Sequence, residues 1–287
     1  MRELKMSADK EIYSEIDFLK SEVKRLRKSL SELTPSLSAI LKRRGFKIYK
    51  KESSDDLLIP AEKFIDGYYE MLKRYSFRLF LRDVIKHQPL FTPGQVARYA
   101  TKEVTGEYIN YLAKTGLIVS KNGAYKLAGR PIRSFGDTLE WFIAEIFKRE
   151  FSAETIWGVK IKGRSIGGDY DLLSKIDGSI LYMEVKSSPP RQIYQKEIGA
   201  FFDRVYDLMP EIAIFFMDTE LRMKDKIVPM FEDELKMRFS GPPEVTRMEK
   251  ELFEVQTERP KIFIINSKDS IVNNIEKVLI RYFRGYS

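Results

Sequence analysis

Two neighbouring apolar segments carry charged side chains at alternate positions on either side of a tight-turn signal. Asp169 and Asp171 lie in GGDYDLL, Glu184 and Lys186 lie in LYMEVK, and Asp177-Gly178 separates the two segments. An Asp-Gly pair flanked by apolar runs predicts a hairpin with a two-residue turn. Counting back from that turn places Asp171 across from Glu184 and Asp169 across from Lys186, with all four side chains on one face.

The predicted pairing of Asp171 with Glu184 suggests metal chemistry. Facing residues have Cβ atoms about 4.5–5.5 Å apart, and like charges there destabilise the hairpin. Without metal, an amide in place of either carboxylate should therefore raise stability, whereas a divalent cation would turn the repulsion into coordination. The chain has no cysteine and one histidine, His87. Thiolate catalysis and Cys- or His-rich metal sites are thus excluded, and Mg²⁺ or Mn²⁺ is the expected cofactor.

The elements around this hairpin predict an α/β domain over residues 134–287. Strands alternate with helices, which is typical of a mixed sheet flanked by helices. The predicted elements are an opening helix GDTLEWFIAEIFKREF, a strand ETIWGVKIKG, the charged hairpin, helices at 191–209, 222–239 and 269–284, and strands at 211–219 and 261–267.

Two further acidic positions remain open from the sequence. On the opening helix, Glu140 and Glu145 compete for a role beside the hairpin, and Glu140 lies nearer the apolar face at 100° per residue. That face is set by Leu139, Phe142, Ile143, Ile146 and Phe147. We therefore expect Glu140 at the site and Glu145 in solvent. For Asp169 the alternatives are an additional metal ligand and a salt bridge to Lys186.

This pattern resembles the PD-(D/E)xK nuclease superfamily, the restriction-endonuclease-like fold, over roughly residues 135–217. The resemblance implies that Glu140, Asp171 and Glu184 bind Mg²⁺ or Mn²⁺ and that Lys186 assists the attacking water, so that DNA phosphodiester bonds are hydrolysed. Tyr170 stands where the family motif has proline. Because the superfamily also has inactive members, a DNA-binding regulator or adaptor with an inactive nuclease-like domain is the alternative, beside an ordinary α/β domain with an exposed charged hairpin.

Residues 76–133 are the most basic part of the chain, with 10 basic and 3 acidic side chains, whereas residues 134–287 have a net charge of −3. Three predicted helices precede a hairpin at Asn122-Gly123 in this segment. This element order resembles the winged helix-turn-helix family. The candidate nucleic-acid contacts are Asn110, Lys114, Lys121, Lys126, Arg130 and Arg133. DNA is the expected partner, RNA is not distinguished from it, and a protein-binding or spacer module is the alternative.

The N-terminal segment has a heptad pattern between Ile12 and Leu33. Ile16 and Val23 at a positions, with leucine at d, favour a parallel two-stranded coiled coil and hence a homodimer. Packing of this helix on its own chain is the alternative, and a protein partner is a further one.

The sequence therefore predicts four segments: a helical heptad segment at 1–40, a basic connector with a helix at 41–75, the winged helix at 76–133 and the nuclease-like domain at 134–287. No apolar run approaches the roughly 18 residues of a membrane span, and a cytoplasmic location is expected.

Overall fold

The charged hairpin lies near the middle of a mixed sheet. Among the residues that the structure describes, this sheet has eight strands in the order β1-β4-β5-β6-β7-β10-β9-β8. The strands are β1 (Lys47–Lys50), β4 (Glu154–Lys162), β5 (Tyr170–Ile176), β6 (Ser179–Lys186), β7 (Ile212–Met217), β8 (Val245–Glu249), β9 (Leu252–Val255) and β10 (Lys261–Asn266). The antiparallel β4–β5–β6 part continues into parallel β6–β7–β10 pairs, so the sheet is mixed as predicted.

The computed structural model describes residues 15–23, 25–26, 29, 34–53, 55–163, 169–240, 244–257 and 259–285. These residues fall in two compact units, Met1–Lys47 and Ile48–Ser287. The finer division of the chain at residues 75 and 133 stays a prediction.

Helices cover both faces of the sheet. Alternate residues of each strand point to opposite sides, so the buried strands present apolar side chains on both faces, and each face needs a covering layer. On one face, Ile214 and Phe216 of β7 join the core beneath α6 (Gly136–Glu150), as do residues of α9 (Ile271–Arg284). On the other face, the Phe215 ring contacts Phe201 of α7 (Gln195–Leu208) and Phe231 of α8 (Ile227–Arg238) at centroid distances of 5.4 and 5.3 Å.

The segment between β1 and α6 has the helix, helix, helix and hairpin order predicted for residues 76–133. After α2 (Ile65–Leu72), its elements are α3 (Tyr75–Lys86), α4 (Pro93–Val96), α5 (Lys102–Lys114), β2 (Ile118–Lys121) and β3 (Ala124–Leu127). Its identity as a winged helix stays a prediction. One hydrophobic core joins this segment to the sheet, since Phe77 and Phe80 belong to the same cluster as Phe142 and Ile214.

In the N-terminal unit, the described residues between 15 and 29 are helical, and a second helix, α1 (Leu37–Arg43), follows. Ser36 caps α1 by accepting a hydrogen bond from the Ala39 amide at 3.2 Å. Heptad positions Ile12, Leu30 and Leu33 lie outside the described residues, so the coiled-coil interpretation stays a prediction. None of the helices described here is long and apolar enough to cross a membrane.

Candidate functional site

The β5–β6 hairpin has the register predicted from Asp177-Gly178. Leu172 pairs with Met183, and the pairing continues to Ile176 with Ser179. Asp171 lies at the start of β5, and its Oδ2 accepts a hydrogen bond from the Val185 amide at 2.7 Å. The acidic start of β5 and the Glu-x-Lys end of β6 therefore lie next to each other, at the edge of the sheet formed by the strand ends.

Glu184 is the most enclosed of the candidate acidic residues, with 1% of its surface exposed. Its Oε1 accepts hydrogen bonds from Lys186 Nζ at 2.6 Å and from Arg204 at 2.7 Å. Its Oε2 accepts one from the Tyr182 hydroxyl, to which Arg204 Nε also donates, at 2.8 Å. Both oxygens of this carboxylate are thus bound by donors of the protein, two of them cationic.

The two carboxyl groups at the hairpin have opposite electrostatic surroundings. Burial, together with repulsion by Glu184, raises the pKa of Asp171 to about 7. Burial by itself would also raise the pKa of Glu184, but Lys186 and Arg204 outweigh it, and that pKa lies below its ordinary value. At neutral pH, Glu184 is therefore ionised, whereas Asp171 takes up a proton far more readily than an ordinary aspartate.

Glu140 of α6 joins this cluster, whereas Glu145 does not. Burial raises the pKa of Glu140 well above its ordinary value, and Asp171 is the neighbouring charge that adds most to this shift. Glu145 is half-buried rather than in solvent as expected, and it bonds Lys148 and Arg149 of its own helix at 3.3 and 2.9 Å. The structure thus brings the helix residue favoured by the helical-angle argument to the hairpin.

Gly158 of β4 lies directly beside Glu140. A Cβ atom at this position would lie 3.8 Å from Glu140 Oε2, and the φ angle of Gly158 is +57°. Because L residues rarely adopt that conformation, a larger residue here would strain the strand next to the carboxyl group.

Of the two alternatives for Asp169, the structure does not show the salt bridge to Lys186. Asp169 pairs with Lys160 of β4, with 2.8 Å between Nζ and Oδ2. Asp169 precedes β5, and its ion-pair partner lies on β4 rather than on β6, the other strand of the hairpin.

Lys186 lies at the end of β6, where several elements meet. Its ammonium group lies 3.9 Å from Glu197 of α7. Burial lowers the pKa of Lys186, but the attraction of Glu184 and Asp171 outweighs it, and the pKa is raised. Lys186 is therefore a permanent cation at neutral pH. Its carbonyl oxygen accepts a hydrogen bond from the Asp218 amide at 2.8 Å.

Asp218 is a buried charge directly behind Lys186. The side chain of Asp218 is fully buried, and Oδ1 accepts hydrogen bonds from Arg78 at 2.9 Å and from the Ser267 hydroxyl at 2.6 Å. Arg82 bonds the other carboxylate oxygen. Both arginines belong to α3, so this segment supports the strand end that carries Lys186.

Sequence reasoning missed Tyr182, Glu197, Arg204 and Asp218. Arg204 did leave a signal, because a charged residue interrupts the apolar face of α7. That face buries Ile198, Phe201, Phe202, Val205 and Leu208. A charged side chain on a buried helix face needs a partner, and here the partner is Glu184.

The donor atoms at this site are of the type that Mg²⁺ or Mn²⁺ prefers, but they are not arranged to hold such an ion. Glu140, Asp171 and Glu184 supply the carboxylate oxygens that these ions prefer. Within the described part of the chain, however, no three Asp, Glu or His side chains are placed so that they could hold a metal ion as they stand. Since Lys186, Tyr182 and Arg204 bind both oxygens of Glu184, an ion would have to compete with them.

The candidate nucleic-acid contacts differ in their surroundings. Asn110 and Lys114 are exposed on α5, Lys121 is exposed at the end of β2, and Lys126 is half-buried on β3. The Arg133 guanidinium bonds Asp56, and Arg130 lies 3.9 Å from Asp55. Both arginines therefore have carboxylate partners within the chain, which the sequence did not reveal.

The comparisons leave the family open. No family model and no curated protein matches the chain. Can2 from Sulfobacillus thermosulfidooxidans, solved in complex with cyclic tetra-adenylate, is 16% identical with a TM-score of 0.39, covering 63% of this chain and 50% of its own. Protein VC1899 from Vibrio cholerae is 11% identical with a TM-score of 0.41, covering 75% and 56%. The chain thus spans about half the length of these structures, and similarity this low carries no functional argument.

The fold and the site together define a mixed α/β protein. Helices flank its large mixed sheet, and a charged cluster lies at one edge of that sheet.

Proposed function

We propose that this chain is a metal-dependent nuclease that hydrolyses DNA phosphodiester bonds at the cluster of Glu140, Asp171, Glu184 and Lys186. One observation carries the proposal: three acidic residues and a lysine, from α6, β5 and β6, converge at one sheet edge although burial there raises the pKa of Glu140 and Asp171. Grouping like charges in this way costs folding free energy, and shifted acid–base groups of this kind cluster at functional sites.

The acidic residues and Lys186 have different roles in this proposal. Glu140, Asp171 and Glu184 would hold Mg²⁺ or Mn²⁺, which when bound polarises a phosphate and lowers the pKa of a coordinated water. Lys186 stays protonated, so it stabilises negative charge on the phosphate oxygens in the transition state rather than acting as the base. Arg204 and Glu197 hold Glu184 and Lys186 in place.

The segment at residues 76–133 supplies the positive charge for DNA in this proposal. Residues 76–133 have a net charge of +7 from the 10 basic and 3 acidic residues. The exposed Asn110, Lys114 and Lys121 are the primary contacts, with Lys126, Arg130 and Arg133 beside them. Phosphate contacts of this kind give affinity that falls steeply with salt.

The test is cleavage of labelled single-stranded, duplex and branched DNA in Mg²⁺, Mn²⁺ or EDTA. We expect metal-dependent cleavage that Lys186→Ala abolishes while DNA affinity stays within about twofold, because the change removes charge stabilisation and not the binding surface. Lys175→Ala, at the opposite end of β5, is the matched control and should cleave normally. Full activity of Lys186→Ala would overturn the assignment of the site.

A second candidate function is a DNA-binding regulator or adaptor with an inactive nuclease-like domain. The observation in its favour is the Glu184 carboxylate, whose two oxygens are bound by Lys186, Tyr182 and Arg204. A polar network satisfied in this way can be purely structural. DNA binding without cleavage in either metal, on every substrate, would favour this function over the nuclease.

A further inference from the structure

Two exposed tyrosines lie on elements that neighbour the candidate site. Tyr49 of β1 is 56% exposed, and Tyr194, the residue before α7, is 64% exposed. Other tyrosines, such as Tyr68 and Tyr182, are fully buried in aromatic contacts. Because an aromatic ring gains most from burial, two rings left in solvent beside one site are available for a partner.

Each of these rings carries a lysine over it. Lys162 Nζ lies 5.5 Å from the centroid of the Tyr49 ring, and Lys196 Nζ lies 5.9 Å from that of Tyr194. An aromatic face next to a cation suits a nucleotide, since the ring can stack on a base while the ammonium group attracts the adjoining phosphate.

A hydrogen bond and an ion pair connect Tyr194 to Lys186 of the charged cluster, and Tyr49 lies on a strand of the same sheet. The Tyr194 amide donates to Glu197 at 2.9 Å, and the same carboxylate lies 3.9 Å from Lys186. Tyr49 lies on β1, the neighbour of β4, and Lys160 of β4 pairs with Asp169 just before β5.

We infer that the site binds an unpaired nucleic-acid strand, whose bases stack on Tyr49 and Tyr194 while its backbone crosses the carboxylate cluster. This inference rests on the proposed function and narrows its substrate. The strands β1, β4, β5 and β6 are neighbours in the sheet. Three spacings of about 4.8 Å put β1, which carries Tyr49, roughly 14 Å from β6, which carries Glu184 and Lys186, and about four stacked nucleotides span that distance. In a duplex, the base faces are covered by neighbouring base pairs, so the same rings would find only edges and phosphates.

The test is fluorescence anisotropy with the full chain in EDTA, so that binding is measured without cleavage. The probes are a labelled 12-nucleotide DNA strand, the RNA strand of the same sequence and the matching DNA duplex. The variants are Tyr49→Ala, Tyr194→Ala and the corresponding phenylalanine replacements. Phe283→Ala is the control, because Phe283 is also exposed but lies beside Tyr282, which bonds Ser179 at the opposite end of β6.

We expect each alanine variant to weaken binding of the single strands by about 5- to 150-fold, since base–aromatic stacking contributes about 1–3 kcal/mol per base. Duplex affinity should change less than twofold, and the phenylalanine variants should bind like the parent chain. The ratio of DNA to RNA affinity identifies which unpaired strand is bound. Equal losses on single strand and duplex, or none on either, would overturn the inference.

Cleavage by the same variants in Mg²⁺ separates this inference from the proposed function. If the parent chain cleaves DNA and the tyrosine variants keep full single-strand affinity, the inference fails and the nuclease stands. If nothing is cleaved but both tyrosines are needed for single-strand binding, the nuclease fails and the binding surface stands.

Discussion

At the scale of single residues, Asp171 and Glu184 show how two facing carboxyl groups take different charges. Glu184 is bonded to Lys186 and Arg204, whereas Asp171 receives one backbone hydrogen bond, from Val185. The expectation that an amide at either position would stabilise the protein treated the two groups as equivalent. The structure predicts opposite effects instead.

Asp171→Asn should raise stability at pH 8 in EDTA and change it little at pH 4. The folded pKa of about 7 lies above the unfolded value near 4, so the ionised form is disfavoured by the fold, and stability is lost as the pH rises from about 4 to 7. Glu184→Gln should lower stability at pH 8, because its folded pKa is depressed and two cations lose their partner. Urea unfolding at both pH values measures this, and effects of the same sign would contradict it.

Arg204→Met should lower the free energy of unfolding by about 3 kcal/mol, since removing one partner of a buried ion pair leaves the other charge uncompensated. Adding Glu184→Gln should recover part of that loss. Lys236→Met, which removes an exposed ion pair with Asp233, is the control and should unfold like the parent. A loss below about 1 kcal/mol in denaturant titrations would mean that Glu184 does not depend on Arg204.

At the scale of elements, strongly periodic segments could be predicted, and elements without a local signal could not. The opening helix was expected over 136–151 and is observed over 136–150. The hairpin β8–β9 was missed because Lys250 takes the positive φ of +43° at its turn, a position where Gly or Asn would have signalled a turn. The helix expected from residue 191 begins at Gln195, since Pro189 and Pro190 precede it.

Part of the site could be predicted from local patterns. Strand alternation predicts that Asp171 and Glu184 face each other, and the helical angle places Glu140 toward them. The roles of Tyr182, Arg204 and Asp218 arise from packing between elements distant in sequence. Arg78 and Asp218, for instance, are 140 residues apart. No local pattern encodes such a pair.

The N-terminal helix supports a prediction about assembly. Heptad residues Ile16, Leu19, Val23 and Leu26 are between 39 and 54% exposed. Because such a stripe gains free energy by pairing, we expect a homodimer, and Leu19→Asp with Leu26→Asp should make it monomeric. Ser21→Asp, which adds a charge to an exposed position off the stripe, should leave the dimer intact. Light scattering measures the molar mass in solution. A parent protein with the mass of one chain, 33.6 kDa, would contradict the prediction.

At the scale of the whole molecule, Asp218 links α3 to the sheet. Burial would raise its pKa, but Arg78 and Arg82 outweigh this, and the pKa is lowered. Asp218→Asn should lower the free energy of unfolding by about 3–5 kcal/mol at pH 7. Since the folded pKa is depressed, this contribution is present above the unfolded value near 4 and is lost as the pH falls through the folded pKa.

Guanidinium chloride titrations at pH 7 and pH 3 test this prediction, and the difference between Asp218→Asn and the parent should shrink at pH 3. Asp225→Asn, at an exposed position, should behave like the parent at both values. A difference that is the same at pH 3 and pH 7 would show that the charge of Asp218 is not the cause.

The bond between the Asp218 amide and the Lys186 carbonyl has a consequence for building chimeras of this protein. A fusion that joins residues 134–287 to a foreign DNA-binding module would leave Arg78 and Arg82 behind. It would bury a carboxylate without a cation, directly behind the strand end that carries Lys186. Because the shared core reaches back to Leu58, a junction for exchanging modules belongs before that residue rather than at 133.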